Sequence, residues 1–460
     1  MNWKISFLFL TVMGLAAAPA AGAKTLDEVQ VLDLATAQQI ALADNPSLAA
    51  AAERVKQAGQ RIKQARALYY PSIDAGGTAA SGRISTADAA QSFLFGGTDI
   101  DRNSENYRLS LGASWLLFDG FSRKFLHLVA EYGQQESEQA RRDGMRLLLQ
   151  AVAESFYGAQ LALYNKAIAE ADFSFNSTQA KEARASLDAG AGSLSAVLNF
   201  QVQMNNASTD VLLAERNYDI ALFGLALLLG RESGQMPEGL KLSKMVMVEE
   251  NEFYELSTSA LLQAAERNRP DLLLQELSVQ RAESTIGANK ASYYPQFSLN
   301  GVVDGDRFDN ANFISDDFGS TVSLNLSYNL FRGGGDRARI AEAKAYKREV
   351  VRTLEQQKNK VQSEVRQAIT RLEQARAQLL LQRASVKLVE QSRNLVEDGY
   401  KAGQESLARL NEVQRDLVRT RSRLALSLIS LYTNRQSLKT ATGESLIPYL
   451  QDEGSESGME

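Results

Sequence analysis

The charged residues Glu405, Arg409 and Glu412 are spaced four and three residues apart, which places them on one face of a helix. Opposite charges at this spacing can form ion pairs or interact with a charged solute, and Tyr400 lies close before them. The alternative interpretation is an ordinary solvated helix face with local salt bridges. Neither interpretation is catalytic.

Residues for enzymatic chemistry are sparse. His127 is the only histidine, and the absence of cysteine excludes disulfides and zinc-thiolate sites. The run Gly333-Gly334-Gly335 lacks the Gly-Lys-Ser/Thr ending of a phosphate-binding loop. Because the Asp and Glu residues show no paired catalytic arrangement, we expect no enzyme, no cofactor and no metal site.

The elements that carry these residues occur twice along the chain. Tyr69-Tyr70-Pro71 matches Tyr293-Tyr294-Pro295 at a spacing of 224 residues, and Leu117-Phe118-Asp119-Gly120 matches Leu330-Phe331-Arg332-Gly333 at a spacing of 213. The pairs Asn45-Pro46 and Arg269-Pro270 follow the first spacing, Gly230 and Gly443 the second. A repeat of about 210 residues is too long for a solenoid unit. It predicts two copies of one supersecondary unit.

The repeat defines the domain organisation. Residues 1–23 resemble a secretory signal, with Lys4, an apolar stretch and the small-residue site Ala21-Gly22-Ala23. The first repeat covers 24–230, with a helix, a β-hairpin at 70–118, a long helix at 121–187 and a return helix at 193–229. After a linker at 231–256, the second repeat covers 257–443, with a helix, a hairpin at 294–331, a long helix at 335–400 and a return helix at 406–440. An acidic tail covers 444–460.

The long helices are predicted from what the sequence lacks. Between Gly335 and Gly399 lie 63 residues with neither Gly nor Pro, rich in strong helix formers. At 1.5 Å per residue such a helix is about 95–100 Å long. A seam with alternating steps of four and three, beginning Val361, Val365, Ala368, Leu372, indicates side-by-side helix packing. The patterns of about 35–68 and 257–292 are also helical.

The hairpin segments change to a period of two. Leu109, Leu111, Trp115, Leu324, Leu326 and Tyr328 are among the apolar residues that alternate with Ser, Asn and Gly. Strands of 10–12 residues with this alternation are typical of transmembrane barrels, with the apolar side toward lipid. Trp115 and Tyr328 lie where an interfacial aromatic girdle is expected.

Composition sets further bounds. The net charge of −5 argues against nucleic acid as a partner. After the signal, the longest apolar run is far shorter than the 20 residues that a spanning helix needs. Four strands cannot close a barrel, and an open edge in lipid is costly. The barrel must therefore be shared between chains, and polar inward faces favour three chains and twelve strands over two chains and eight.

These motifs together resemble the TolC-type outer-membrane efflux family over residues 33–445. The resemblance implies an α+β membrane protein: a homotrimer with a 12-stranded transmembrane β-barrel in outer-membrane lipid, four strands per chain, continued by a long periplasmic α-helical barrel. It also implies a passive exit duct for efflux or type I secretion, working with a periplasmic adaptor protein and an inner-membrane pump of RND, ABC or MFS type.

The resemblance also assigns sites. Tyr400, Glu405, Arg409 and Glu412 match a periplasmic constriction, although Glu405 and Arg409 depart in charge from the family prototype. The turns Ala189-Gly190 and Ala402-Gly403 match adaptor-contact turns. The alternative for the whole chain is a soluble periplasmic coiled-coil adaptor or tethering protein, which the repeated strand hairpins argue against.

Overall fold

The computed structural model describes residues 26–83, 85–86, 103–246, 257–308 and 310–450. The predicted signal at 1–23 lies outside these residues, as do parts of the linker and of the tail. The chain divides into two compact units. The first unit comprises residues 1–46, 148–253 and 375–433, and the second comprises residues 47–147, 254–374 and 434–460.

Helices dominate the described residues. They are α1 (Leu34–Asp44), α2 (Pro46–Ala67), α3 (Ser122–Asp188), α4 (Leu194–Leu228), α5 (Thr258–Asn268), α6 (Pro270–Lys290), α7 (Gly335–Lys401) and α8 (Leu407–Ala441). The strands are β1 (Val31–Leu32), β2 (Ser72–Arg83), β3 (Asn103–Phe118), β4 (Lys241–Leu242), β5 (Gln296–Phe308) and β6 (Phe318–Ser327).

Corresponding helices have equal lengths in the two copies of the sequence repeat. The long helices α3 and α7 each have 67 residues, and the return helices α4 and α8 each have 35. The predicted seam of α7 is buried at Val361, Val365 and Leu372, as side-by-side packing requires. Among the described residues, no helix has an apolar stretch long enough to cross a membrane.

The expected helices at 35–68 and 257–292 are each two helices, so the continuous pattern is wrong at one point in each copy. Pro46 and Pro270 begin α2 and α6, and the residue before each is extended: Asn45 has ψ 119° and Arg269 has ψ 117°. Proline disfavours the helical conformation of the preceding residue, and this ends α1 and α5.

The first unit has two apolar clusters. One lies where α1 and the parallel pair β1–β4 meet α3 and α4, and its buried members include Leu32, Ile40, Phe156, Leu225 and Leu242. The other lies near the ends of α3 and α7 and is built on Ala180, Phe200, Val396, Leu410 and Val413.

The second unit holds a four-stranded antiparallel sheet in the order β2-β3-β5-β6. Its register pairs Leu111 with Val303, and Val303 with Ser320. β6 is shorter than the predicted strand, because its last residue, Ser327, pairs with the first residue of β5, Gln296. β3 continues to Phe118 because it has two neighbours, of which β5 pairs with its final residues.

Arg123 stabilises the passage from β3 into α3. Its guanidinium donates to the backbone carbonyls of Leu116 at 2.6 Å, Leu117 at 3.0 Å and Leu68 at 3.2 Å, and it forms an ion pair with Asp119 at 3.2 Å. A planar group with five donors can satisfy several carbonyls at once. The guanidinium therefore joins the end of β3 to the connection that enters β2.

Candidate functional site

Both long helices reverse direction at a turn in the first unit. Gly190 has φ +80° and Gly403 has φ +73°, a conformation that glycine adopts without steric cost. Each glycine N–H donates to the carbonyl three residues earlier, at 2.9 and 3.0 Å, and the preceding Ala189 and Ala402 donate to the carbonyls four residues earlier. All four residues are exposed, and no atom lies within 4 Å of a Cβ built on either glycine. The turns thus offer small, open surfaces.

Tyr400 lies in the last turn of α7 and packs onto the apolar cluster of Phe200. The two rings meet edge to face with centroids 6.2 Å apart. Burial raises the pKa of Tyr400 above its ordinary value, so the phenol stays neutral at physiological pH. The side chain therefore contributes bulk at the helix end rather than charge.

The three charged residues are only partly brought together on one helix. Arg409 and Glu412 lie in the first turns of α8 and form an exposed ion pair at 2.7 Å. Glu405 lies in the turn before α8, where Ser406 Oγ accepts the Arg409 N–H and caps the helix. The expectation that Glu405 shares a helix face with the other two is therefore wrong. Its side chain instead folds over Gly399, where an added Cβ would lie 2.8 Å from Glu405 Cγ.

A polar network behind this end of the unit was missed from the sequence. Gln414 on α8 donates to Asp172 on α3 at 2.6 Å, and Arg393 on α7 donates to Gln414 at 3.3 Å. Arg393 also lies over the ring of Phe175, 4.6 Å from its centroid. Burial raises the pKa of Asp172 despite the bond from Gln414. The partners are 21 and 242 residues apart in sequence, so no local pattern signals them.

The predicted lipid-facing residues lie in the second unit, and five of the six share one face of the sheet. Leu109, Leu111 and Trp115 on β3 pair through β5 with the face that carries Leu324 and Leu326 on β6. All five are exposed in the single chain.

Tyr328 follows the last residue of β6, so the expected match to the strand residue Trp115 does not hold for the strand itself. Trp115 donates its indole N–H to the carbonyl of Tyr69 at 3.0 Å.

The opposite face of the sheet is polar. Arg108 and Asp306 are cross-strand partners joined by two hydrogen bonds, at 2.7 and 3.2 Å. Ser114 donates to Asn300 at 2.8 Å, and Ser110 lies opposite Asp304. The sheet therefore has one apolar and one hydrated face.

Known proteins with this arrangement are outer-membrane channels. The sequence model of the family "Outer membrane efflux protein" matches residues 37–231 and 261–444. Protein CyaE of Bordetella pertussis is 27% identical over 426 residues, 91% of this chain and 85% of that protein. The cation efflux system protein CusC of Escherichia coli K12 is 24% identical over 408 residues, 88% of this chain and 84% of that protein.

A solved structure supports the same fold. The CmeC outer membrane channel of Campylobacter jejuni superposes with a TM-score of 0.76 at 14% identity, covering 97% of this chain and 94% of that one. Fold and sequence together define the class as an outer-membrane channel with a helical periplasmic extension. The chain belongs to the outer membrane efflux protein family. The family decides for a channel of efflux or secretion and against the alternative of a soluble adaptor or tether.

Proposed function

We propose that three copies of this chain form one 12-stranded barrel in the outer membrane, which serves as a passive exit duct. The observation that carries the proposal is the four-stranded sheet with one apolar face, one polar face and the two edge strands β2 and β6. An open edge in lipid leaves backbone groups unsatisfied at several kcal/mol each. Eight strands give an interior just filled by side chains, whereas twelve leave room for a polar lumen.

The subunit number is tested by the mass of the detergent-solubilised protein. We expect three chains per particle, with a β-sheet signal that is lost only when the particle dissociates. A stable detergent-soluble monomer that keeps its β-sheet signal would contradict the proposal.

The assignment of the two faces is tested by a matched pair of arginine substitutions on β6. Leu324 lies on the apolar face and Ser323 on the polar face, one residue apart. Arginine near the bilayer midplane costs about 2–4 kcal/mol on the lipid side of a barrel. Leu324→Arg should therefore lower the yield of assembled protein far more than Ser323→Arg. Equal losses, or the reverse order, would contradict this assignment.

The duct is proposed to work with a periplasmic adaptor and an inner-membrane pump of RND, ABC or MFS type. The turns at Ala189-Gly190 and Ala402-Gly403 are the proposed adaptor contacts, since they are exposed and carry no side chain larger than a methyl group. Ala189→Arg and Ala402→Arg should reduce cargo export from cells while the amount of assembled channel stays constant. Unchanged export in both variants would place the adaptor contact elsewhere.

The constriction is proposed to lie at Tyr400, Glu405, Arg409 and Glu412. Three-fold symmetry would place three copies of each residue around the axis. A single exposed ion pair is worth only about 0–1 kcal/mol, but three acting together can bias a closed state.

Single-channel conductance in planar bilayers tests the constriction. Tyr400→Ala and Arg409→Ala should raise the conductance, and Glu412→Gln should change the preference for cations and the block by multivalent cations. Arg419 and Asp416 form a similar exposed pair farther along α8. Arg419→Ala is therefore the matched control and should leave conductance unchanged. If the four variants behave alike, the constriction lies elsewhere.

A further inference from the structure

The chain contains one junction between its two sequence copies, and this junction is tightly packed. The end of β3 pairs with the start of β5, where the rings of Phe118 and Phe297 lie 6.3 Å apart. Phe121 packs edge to face on Tyr294 with centroids 6.1 Å apart. Gly120 lies so close that an added Cβ would be 2.6 Å from the carbonyl oxygen of Ala291.

The corresponding surface at the end of β6 has the same backbone but nothing against it. Gly333 and Gly334 have φ +59° and +81°, and their counterparts Gly120 and Phe121 have +68° and +70°. Among the described residues, no atom lies within 4 Å of a Cβ built on Gly333 or Gly334. Next to them, Leu330 and Phe331 are 86% and 83% exposed.

The free edge of the other outer strand, β2, is complementary to this surface. Its counterpart in the second copy is β5, the strand that covers β3 at the internal junction. At the start of β2, Tyr70 and Ile73 are 68% and 71% exposed. They correspond to Tyr294 and Phe297, the two residues whose rings pack against β3 and its continuation.

We propose that β2 and α2 of a partner subunit cover the end of β6 in the register that β5 and α6 adopt against β3 and α3. The inference rests on the proposed shared barrel and fixes how its subunits join. Leu111 pairs with Val303 inside the chain, so Leu324 pairs with Ala79 of the partner subunit. Phe118 pairs with Phe297, so Phe331 pairs with Ile73 of the partner subunit.

Side-chain sizes support this register on the helices below the sheet. At the internal junction the ring of Phe125 lies over Gly287, where an added Cβ would be 2.4 Å from the ring. The corresponding residues are Ala338 on α7 and Lys63 on α2. The large residue and the small residue have exchanged helices, which preserves the total volume at the contact. Interiors packed at crystal-like density require such compensation.

The register also accounts for the early end of β6. β6 stops at Ser327 because β5 begins at Gln296, and residues 328–331 are left without a strand partner. β2 of the partner subunit begins at Ser72 and would pair with these residues, as β5 pairs with the last residues of β3. Assembly thus extends β6 to the length that its alternating sequence predicts.

Cysteine cross-linking tests the register in a chain that has no cysteine of its own. In the double variant Leu324→Cys with Ala79→Cys, oxidation should convert most of the protein to a species with three times the mass of one chain on a non-reducing denaturing gel. Phe331→Cys with Ile73→Cys is a second pair in the same register. Each single variant should remain monomeric on the gel.

Two controls make the outcome decisive. Leu111→Cys with Val303→Cys is the matching pair inside the chain, and it should close a bond within one monomer. Leu324→Cys with Ala75→Cys shifts the partner position by four residues, about 13 Å along a strand, and should not cross-link. Cross-linking of the shifted pair in a trimer would overturn the register but keep the shared barrel. A monomeric native mass in detergent would overturn both.

Discussion

Asn45 and Arg269 hold corresponding positions before a proline, and both anchor the end of a return helix by different chemistry. Asn45 donates from its amide to the carbonyl of Leu228, the last residue of α4, at 2.9 Å. Arg269 donates from its guanidinium to the carbonyl of Ala441, the last residue of α8, at 3.2 Å. The helix end needs a donor for an unsatisfied carbonyl, and the comparison shows that the need is conserved while the donor is not.

The backbone around the two anchors is alike. Gly230 and Gly443 follow α4 and α8 with φ +77° and +76°. A Cβ on Gly230 would lie 2.3 Å from the carbonyl oxygen of Asp44, and one on Gly443 would lie 2.7 Å from that of Asn268. Each helix end therefore touches the residue just before its anchor, and only glycine allows this approach.

The difference is one of charge. Asn45 is neutral, whereas Arg269 is 2% exposed and pairs with Asp271 and Glu364, both at 2.6 Å. A cation near a helix C-terminus is favourable, but a buried cation requires carboxylates around it. The second anchor is thus a network whose parts depend on one another, and the first is a single bond.

The largest effect is expected from Arg269→Leu. The substitution leaves Asp271 and Glu364 without their cation and the carbonyl of Ala441 without its donor. Removing one partner of a buried ion pair costs about 3–5 kcal/mol. We expect the thermal midpoint of the detergent-solubilised protein, measured by circular dichroism, to fall clearly below that of the unaltered chain. A midpoint no lower than that of Asn45→Ala would show that the network adds nothing to the bond.

Asn45→Ala should have a smaller effect. It removes one neutral hydrogen bond from a nearly buried site and leaves the carbonyl of Leu228 unsatisfied, at a cost of about 1–3 kcal/mol. The same thermal measurement applies, and Asn45→Asp is a sharper variant of the same size. Because a carboxylate cannot donate, Asn45→Asp should destabilise at least as much as Asn45→Ala. Stability equal to the unaltered chain would show that shape alone anchors α4.

The sequence predicts the frame of these anchors but not their chemistry. The repeated positions Asn45-Pro46 and Arg269-Pro270, and the glycines after the return helices, follow from spacing alone. The long helices follow from the lack of Gly and Pro. The bond from Arg269 to Glu364 spans 95 residues, so its existence depends on how helices pack.

The same physical reason explains two errors at the candidate sites. Glu405 was placed on α8 because helical spacing was assumed to begin before the cap at Ser406. Tyr328 was placed in a strand because its alternation is regular, although strand length depends on a neighbour with which to pair. Local pattern predicts an element, and its ends depend on contacts that are distant in sequence.

A neutral version of the second anchor should lie close to the unaltered chain. The triple variant Arg269→Leu, Asp271→Leu and Glu364→Gln removes the cation together with both carboxylates. Replacing a whole buried ion cluster by apolar groups is often neutral or stabilising. The triple variant should therefore recover most of the thermal midpoint that Arg269→Leu alone loses. A further fall would mean that the ion network itself, and not the balance of charge, stabilises this anchor.

The smallest effect is a difference in pH response between the anchors. Burial raises the pKa of Asp271, but the hydrogen bond and charge of Arg269 outweigh it, so its pKa lies below the ordinary value. A carboxyl with a lowered pKa in the folded state adds stability above its unfolded pKa, near 4. This stability is lost as pH falls from there through the folded pKa. Asp271→Asn should therefore flatten the acid side of the stability profile between about pH 5 and lower values.

The matched substitution at the neutral anchor is Asn45→Ala, which removes no titrating group. Its stability profile should keep the shape of that of the unaltered chain, only shifted down by a constant amount. If Asp271→Asn keeps the acid slope unchanged, the slope arises from other carboxylates, and the charged anchor has no pH response of its own. If both variants flatten the slope, the two anchors open together, and the difference in their chemistry does not make them independent.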